Sequence, residues 1–245
     1  MPLSSFKALS LIILILSLLS CEKDCLELAG ADTSISQEFA NFTKIEMHDT
    51  FTYHLIQDSA NYVELRGKEN LIKNAELQVL GNSLSIRKKQ TCTLFKGYHD
   101  TEVFIHFKEL NEIYIEGNAS IYSEDTINVN NLRIENSGDF TTWDFKLKAN
   151  NLKIYLHAIV GEMKLQGKVE NMYLYSSGTN HCFFKKLEVK EASINHTSLG
   201  DIHLKVTEKL LLDINSSGDF YCYGNPPYQT VSYEENETGK LIFIN

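Results

Sequence analysis

Carboxylates and imidazoles are the side chains of this chain that could carry acid–base chemistry, and the carboxylates recur at one kind of place. Asn136-Ser137-Gly138-Asp139-Phe140 is nearly reproduced by Ser216-Ser217-Gly218-Asp219-Phe220, and Asp201 follows Gly200 in a comparable setting. Asp139 and Asp219 stand 80 residues apart. If the chain advances one rung every 20 residues, that is a separation of about 19 Å. Paired glycosidase carboxylates need about 5–9.5 Å, so these aspartates are expected to cap backbone N–H groups at turns instead. The eight histidines show no metal-ligand spacing. His48, His54 and His106 fall on alternating strand positions, as solvated side chains do. No Gly-x-Ser-x-Gly elbow and no phosphate-cradling loop occurs. No metal, no cofactor and no catalytic set is expected, and the chain reads as a non-enzyme.

Aromatic side chains are the other candidates. Tyr155, Tyr173 and Tyr175 alternate with apolar residues and are expected to stack on one outer face, with Tyr221, Tyr223 and Trp143 as an extension of the strip. Such rings supply contact area for a glycan or a protein at little entropic cost, or they stabilise the sheet by stacking from rung to rung.

The five cysteines divide by position. Cys21 closes Ser17-Leu18-Leu19-Ser20-Cys21 after an apolar run from Ala8 to Leu16 and a polar start with Lys7. This is the pattern of a signal peptide over 1–20 with lipid attachment at Cys21. Several acyl chains hold a protein on a membrane where one binds only marginally. Export would permit disulfides. Cys182 and Cys222 stand 40 residues apart, two rungs or about 9.6 Å, beyond the roughly 7 Å reach of a disulfide. They are expected to stay reduced and buried. Cys25 and Cys92 fall outside the repeats, and a Cys25–Cys92 bond pinning the tether is expected, with two unpaired thiols as the alternative.

The formal charge is −9, and loss of 1–20 removes one lysine and no acid. That disfavours a nucleic-acid partner and an electrostatic grip on anionic lipid.

These residues are positioned by a repeat. Leu132, Leu152, Met172, Ala192 and Leu212 are spaced by 20, and Ile134, Ile154, Leu174, Ile194 and Ile214 each follow two residues later. Between the Gly-containing corners the pattern has period 2, as in Ile202-His203-Leu204-Lys205-Val206. A unit this short cannot close a core alone, so the copies must stack. The expected fold is all-β: a parallel β-solenoid, right-handed by default, with rungs of about 20 residues. An antiparallel β-sandwich is the alternative. The expected organisation is a tether over 21–38 and one domain over 39–245, comprising a cap region at 39–107, repeats at 108–227 and a C-terminal strand at 228–245.

Phe42-Thr43-Lys44-Ile45-Glu46, Tyr53-His54-Leu55-Ile56-Gln57, Val63 to Leu71 and Leu84-Ser85-Ile86-Arg87, with the later Ser-Gly-Asp corners and Phe220 to Pro226, resemble the head GIN domain family of auto-transporter-type adhesins, common in Bacteroidetes lipoproteins. The resemblance covers about residues 39–227. It implies a β-helix-like fold and a cell-envelope place, at the outer membrane or cell surface. It also implies an adhesin-like module for an extracellular protein or glycan. The alternatives are an envelope protein with no discrete ligand and, further off, a polysaccharide-acting enzyme. This chain departs from the family's Gly-Ser-Gly corners at Leu156-His157-Ala158 and Asn195-His196-Thr197.

Overall fold

The structure, a computed structural model, describes residues 27–89, 99–235 and 237–244. Period-2 sequence becomes period-2 burial: Phe145 and Leu147 are fully buried with Lys146 outward between them, and Leu152, Ile154 and Leu156 are fully buried with Lys153 and Tyr155 outward between them. The strands are β1 (Asp32–Glu38), β2 (Lys44–Met47), β3 (Phe51–Gln57), β4 (Tyr62–Lys68), β5 (Ala75–Leu80), β6 (Ser83–Lys88), β7 (Glu102–Phe107), β8 (Glu112–Ile115), β9 (Ala119–Tyr122), β10 (Ile127–Asn136), β11 (Phe140–Ser198), β12 (Ile202–Ile214), β13 (Phe220–Tyr223), β14 (Tyr228–Tyr233) and β15 (Leu241–Ile244). One helical turn, α1 (Glu69–Ile72), precedes β5. The architecture is a parallel β-solenoid with rungs of about 20 residues.

β11 shows how the coil is made. For 59 residues the chain stays in the sheet ladder while it turns its corners, where Ala158, Gly161, Gly167 and Gly178 take positive φ. Each rung offers a first segment, such as 132–136, a polar corner, a second segment, such as 141–145, and a third, such as 147–151. Leu132 pairs with Leu152 and Ile134 with Ile154, in the register expected from the 20-residue period. Side-chain amides repeat it: Asn151 donates to Asn131 at 2.8 Å and Asn171 to Asn151 at 3.3 Å.

The corners are tight. A Cβ on Gly138 would stand 2.2 Å from the Gly117 carbonyl oxygen, so only glycine lets the two rungs approach. The polar atoms at these corners bond locally. Asn136 donates to Thr141 Oγ1 at 2.6 Å and accepts from Gly138 N at 3.0 Å, both beneath the surface.

The register does not hold to the C-terminus. Phe184 faces Leu204, yet the next pair is Glu188 with Lys205, so Lys185, Lys186 and Leu187 have no counterparts in the following rung. Beyond this bulge Ile194 pairs with Leu212 and His196 with Ile214. Ile134, Ile154, Leu174 and Ile214 are all buried, but Ile214 belongs to the neighbouring inward row, and Leu212 takes the place expected for it. Cys182 and Cys222 are likewise out of phase, facing Ile202 and Leu204 respectively. Both are free and buried. Burial pushes their thiols up, Cys182 to about 12 and Cys222 to about 11.

The N-terminal region supplies rungs as well as edges. β2 lies between β6 and β8, all parallel, and β3 lies between β7 and β9. The first rung in sequence is therefore interior to the stack, and the chain returns over it to begin β8. Antiparallel strands then close this end: β4 and β1 follow β7, and β5 follows β6. Turning from parallel to antiparallel pairing ends the column with strands that carry Lys68, Asp32 and Glu38, as protected edges do. Within the segment expected to be a tether, Asp32–Glu38 is thus paired strand. The signal peptide, Cys21, Cys25 and Cys92 lie outside the described residues.

Candidate binding surface

The second segments bring side chains from distant parts of the chain into one outward row. Phe104 of β7, His54 of β3, Tyr122 of β9 and Asp144 are successive neighbours across the rungs. Phe104 and His54 stack with centroids 4.3 Å apart and planes 7° from parallel, and His54 to Tyr122 is 5.7 Å. The Arg66 guanidinium lies 4.0 Å over Phe104, a cation–π contact at the outer end of the stack. His54 Nε2 is 3.2 Å from Glu102, and His106, stacked on Tyr62, is 3.0 Å from Asp58.

A second stack stands toward the other end of the same face. Phe183, His203 and Tyr221 are in register, with centroids 5.4 Å and 4.5 Å apart. His203 Nδ1 is 3.2 Å from the Tyr223 hydroxyl. Burial against these rings lowers the His203 pKa, partly offset by Asp201. Between the stacks lie two adjoining hollows of about 440 and 530 Å³ that share Asp144 and Gln166.

The first segments carry a separate patch. Tyr155 and Tyr173 are 5.4 Å apart, His157 and Tyr175 5.7 Å, and Arg133 covers Tyr155 at 4.1 Å. The expected single strip is therefore two: Tyr155, Tyr173 and Tyr175 come together, whereas Tyr221 and Tyr223 belong to the other face. Trp143 belongs to neither. It is 2% exposed, pairs with Ile121 and packs edge-on against Phe145, with its indole N–H unbonded. Its parity with Phe145 and Leu147 sends it inward. Alternation in each strand marks His54, Phe104, Tyr122, Phe183 and His203 as outward, but it does not mark them as a site, because it hides which strands become neighbours.

The corner aspartates form a ladder. His181 Nδ1 accepts from Asp201 N at 3.1 Å, Asp201 Oδ1 from Asp219 N at 2.9 Å, and Asp219 Oδ1 from Lys240 N at 2.9 Å. Asp201 and Asp219 thus cap backbone N–H groups. At Asp139 it is the backbone carbonyl that accepts, from Val160 N. Among the described residues no group of three or more His, Cys, Asp or Glu side chains is placed to hold a metal, and no helix is long and apolar enough to cross a membrane.

A continuous parallel coil, closed at its N-terminal end by antiparallel strands and carrying ring stacks on its outer faces, defines the chain as a capped parallel β-solenoid. It belongs to the head GIN domain family, described as "Putative auto-transporter adhesin, head GIN domain", whose profile matches residues 41–226. A "putative adhesin" from Bacteroides fragilis shares the fold with a TM-score of 0.80 at 20% identity, over 87% of this chain and 97% of that one. A "putative lipid binding protein" from Parabacteroides distasonis gives 0.64 at 19% identity, over 88% and 98%. A "putative adhesin" from Parabacteroides merdae gives 0.61 at 15%, over 88% and 97%. No curated protein matches the chain.

Proposed function

We propose that this chain is a lipid-anchored cell-envelope protein, held through Cys21 at the outer membrane or cell surface, and that it works as a non-enzymatic, adhesin-like module that binds carbohydrate. The observation that carries the reading is the outer face of the second segments. Aromatic stacks stand at both ends of a shallow hollow of mixed polarity, so rings can meet the C–H faces of sugars while Asp144 and Gln166 meet hydroxyls. Rings are rigid, so little entropy is lost on contact. The hollow is open and mixed in polarity, which suits a chain-like ligand better than an enclosed small molecule. A protein ligand for the Tyr155–Tyr175 patch is the second reading, favoured by the Arg133–Tyr155 pairing typical of protein interfaces.

The test is a glycan array probed with the mature chain and with Tyr122→Ala and His203→Ala. Specific spots that both substitutions abolish, with the melting temperature little changed, support the reading. Unchanged spots, or loss of stability without loss of binding, would mean that the stacks only hold rungs together. An envelope pulldown that captures a protein through Tyr155 and Tyr175 would favour the second reading.

A further inference from the structure

If the groove takes carbohydrate, the charge around it bears on which kind. The two hollows are one groove, because Asp144 and Gln166 line both, with Gln166 Nε2 donating to Asp144 Oδ1 at 3.2 Å across the floor. From the Tyr122 ring at one end to Phe183 at the other is three rung steps, about 14 Å, enough for a short run of sugar rings.

Four lysines, Lys146, Lys164, Lys185 and Lys186, line this groove against three carboxylates, Glu124, Asp144 and Glu162, in a chain whose net charge is −9. Lys164 is neutralised by Glu162 at 3.0 Å. Lys146 donates instead to the Glu124 carbonyl at 2.6 Å, so its charge has no counter-ion among the described residues. Lys185 and Lys186 are exposed and make no ion pair among the described residues. Elsewhere Lys44, Lys68, Lys73, Lys190 and Lys205 each sit on a carboxylate, while Lys108, Lys148, Lys153 and Lys209 are, like Lys146, Lys185 and Lys186, without an ion pair among the described residues.

The position of Lys185 and Lys186 is also built. They occupy the three-residue bulge that has no counterpart in the next rung, with Leu187 buried beneath them as the anchor. A bulge is a usual way for a sheet to re-aim side chains.

Resting on the carbohydrate reading, the geometry points to an acidic oligosaccharide, bearing carboxylate or sulfate groups, as the ligand of this groove. Its rings lie against Tyr122 and Phe183, its hydroxyls face Asp144 and Gln166, and its acidic groups meet Lys146, Lys185 and Lys186.

The test is calorimetric titration of the full chain in non-ionic detergent with hexagalacturonate, with its fully methyl-esterified counterpart and with a chondroitin sulfate hexasaccharide. At least one acidic probe is expected to bind, with affinity falling as salt rises. Replacing both Lys185→Ala and Lys186→Ala is expected to weaken it about tenfold or more, with the melting temperature preserved. The methyl ester, with the same skeleton and no charge, is expected to bind weakly and to ignore the substitutions. Equal binding of hexagalacturonate and its ester, indifferent to the lysines, would overturn the acidic assignment and leave the carbohydrate reading standing. Silence toward both acidic probes alongside neutral hits on an array would do the same, whereas silence toward every sugar would remove both. Lysine-dependent binding to phosphatidylglycerol vesicles without any sugar binding would reassign the groove to lipid headgroups and overturn the proposal.

Discussion

His196 shows what a single residue costs this fold. Its ring is fully buried in an inward row, level with Ile214, and neither ring nitrogen makes a hydrogen bond. Burial lowers its pKa below the usual 6.5; the backbone of Gly218, close to the ring but not in bonding geometry, and the charges of Asp201 and Asp219 offset only part of this. The unfolded chain therefore takes up a proton at higher pH than the folded one. The stability tied to this neutral imidazole is complete above pH 6.5 and is lost as pH falls through the lower folded-state value. Melting temperatures followed downward from pH 7.5 are expected to drop, and His196→Leu is expected to drop less. An identical pH profile for the variant would show that the ring is not the titrating group. His196 also marks a limit of legibility: its neighbours Asn195 and Thr197 suggest a departed corner, while its own inward parity gives no warning of a buried imidazole.

At the scale of the elements, the inward rows are the source of stability. Ile134 and Ile154 face each other across a rung boundary and are fully buried. Ile154→Ala is expected to cost about 2–5 kcal/mol, because the rungs above and below cannot collapse into the cavity. Chemical denaturation measures it, and a loss below about 0.5 kcal/mol would be that of an exposed site instead. This row is legible because equal spacing brings like residues together, as Leu132 with Leu152 and Asn131 with Asn151 also show. The phase at Leu212 and Ile214 is not, because the register shifts twice, at Lys185 to Leu187 and again between Val189 and Glu191, and the rung length changes from 20 to 18 residues. Trp143 is readable by parity with Phe145, and its polar N–H argues misleadingly for a surface position. The placing of β2 and β3 inside the stack depends on contacts between distant segments, which no local pattern encodes.

At the scale of the molecule, the column has a closed N-terminal end and a last rung of β14 and β15, with Tyr228, Tyr233 and Phe243 exposed. On the proposed anchoring through Cys21, Cys21→Ser is expected to abolish metabolic palmitate labelling and to release the protein from the membrane fraction. Unchanged fractionation would defeat the anchor. The solenoid is legible from the repeat, and the candidate surface only in part. Tyr155, Tyr173 and Tyr175 are close in sequence phase, whereas the groove joins Tyr122, Asp144, Gln166 and Phe183 from four different rungs. Whether this groove receives an acidic sugar chain is decided by crystal structures grown with saturating hexagalacturonate and with a saturating chondroitin sulfate hexasaccharide. With at least one of the two, sugar rings are expected along the groove between Tyr122 and Phe183, with acidic groups toward Lys185 and Lys186; sugar seated on the Tyr155–Tyr175 face, or a groove empty with both, would contradict the assignment.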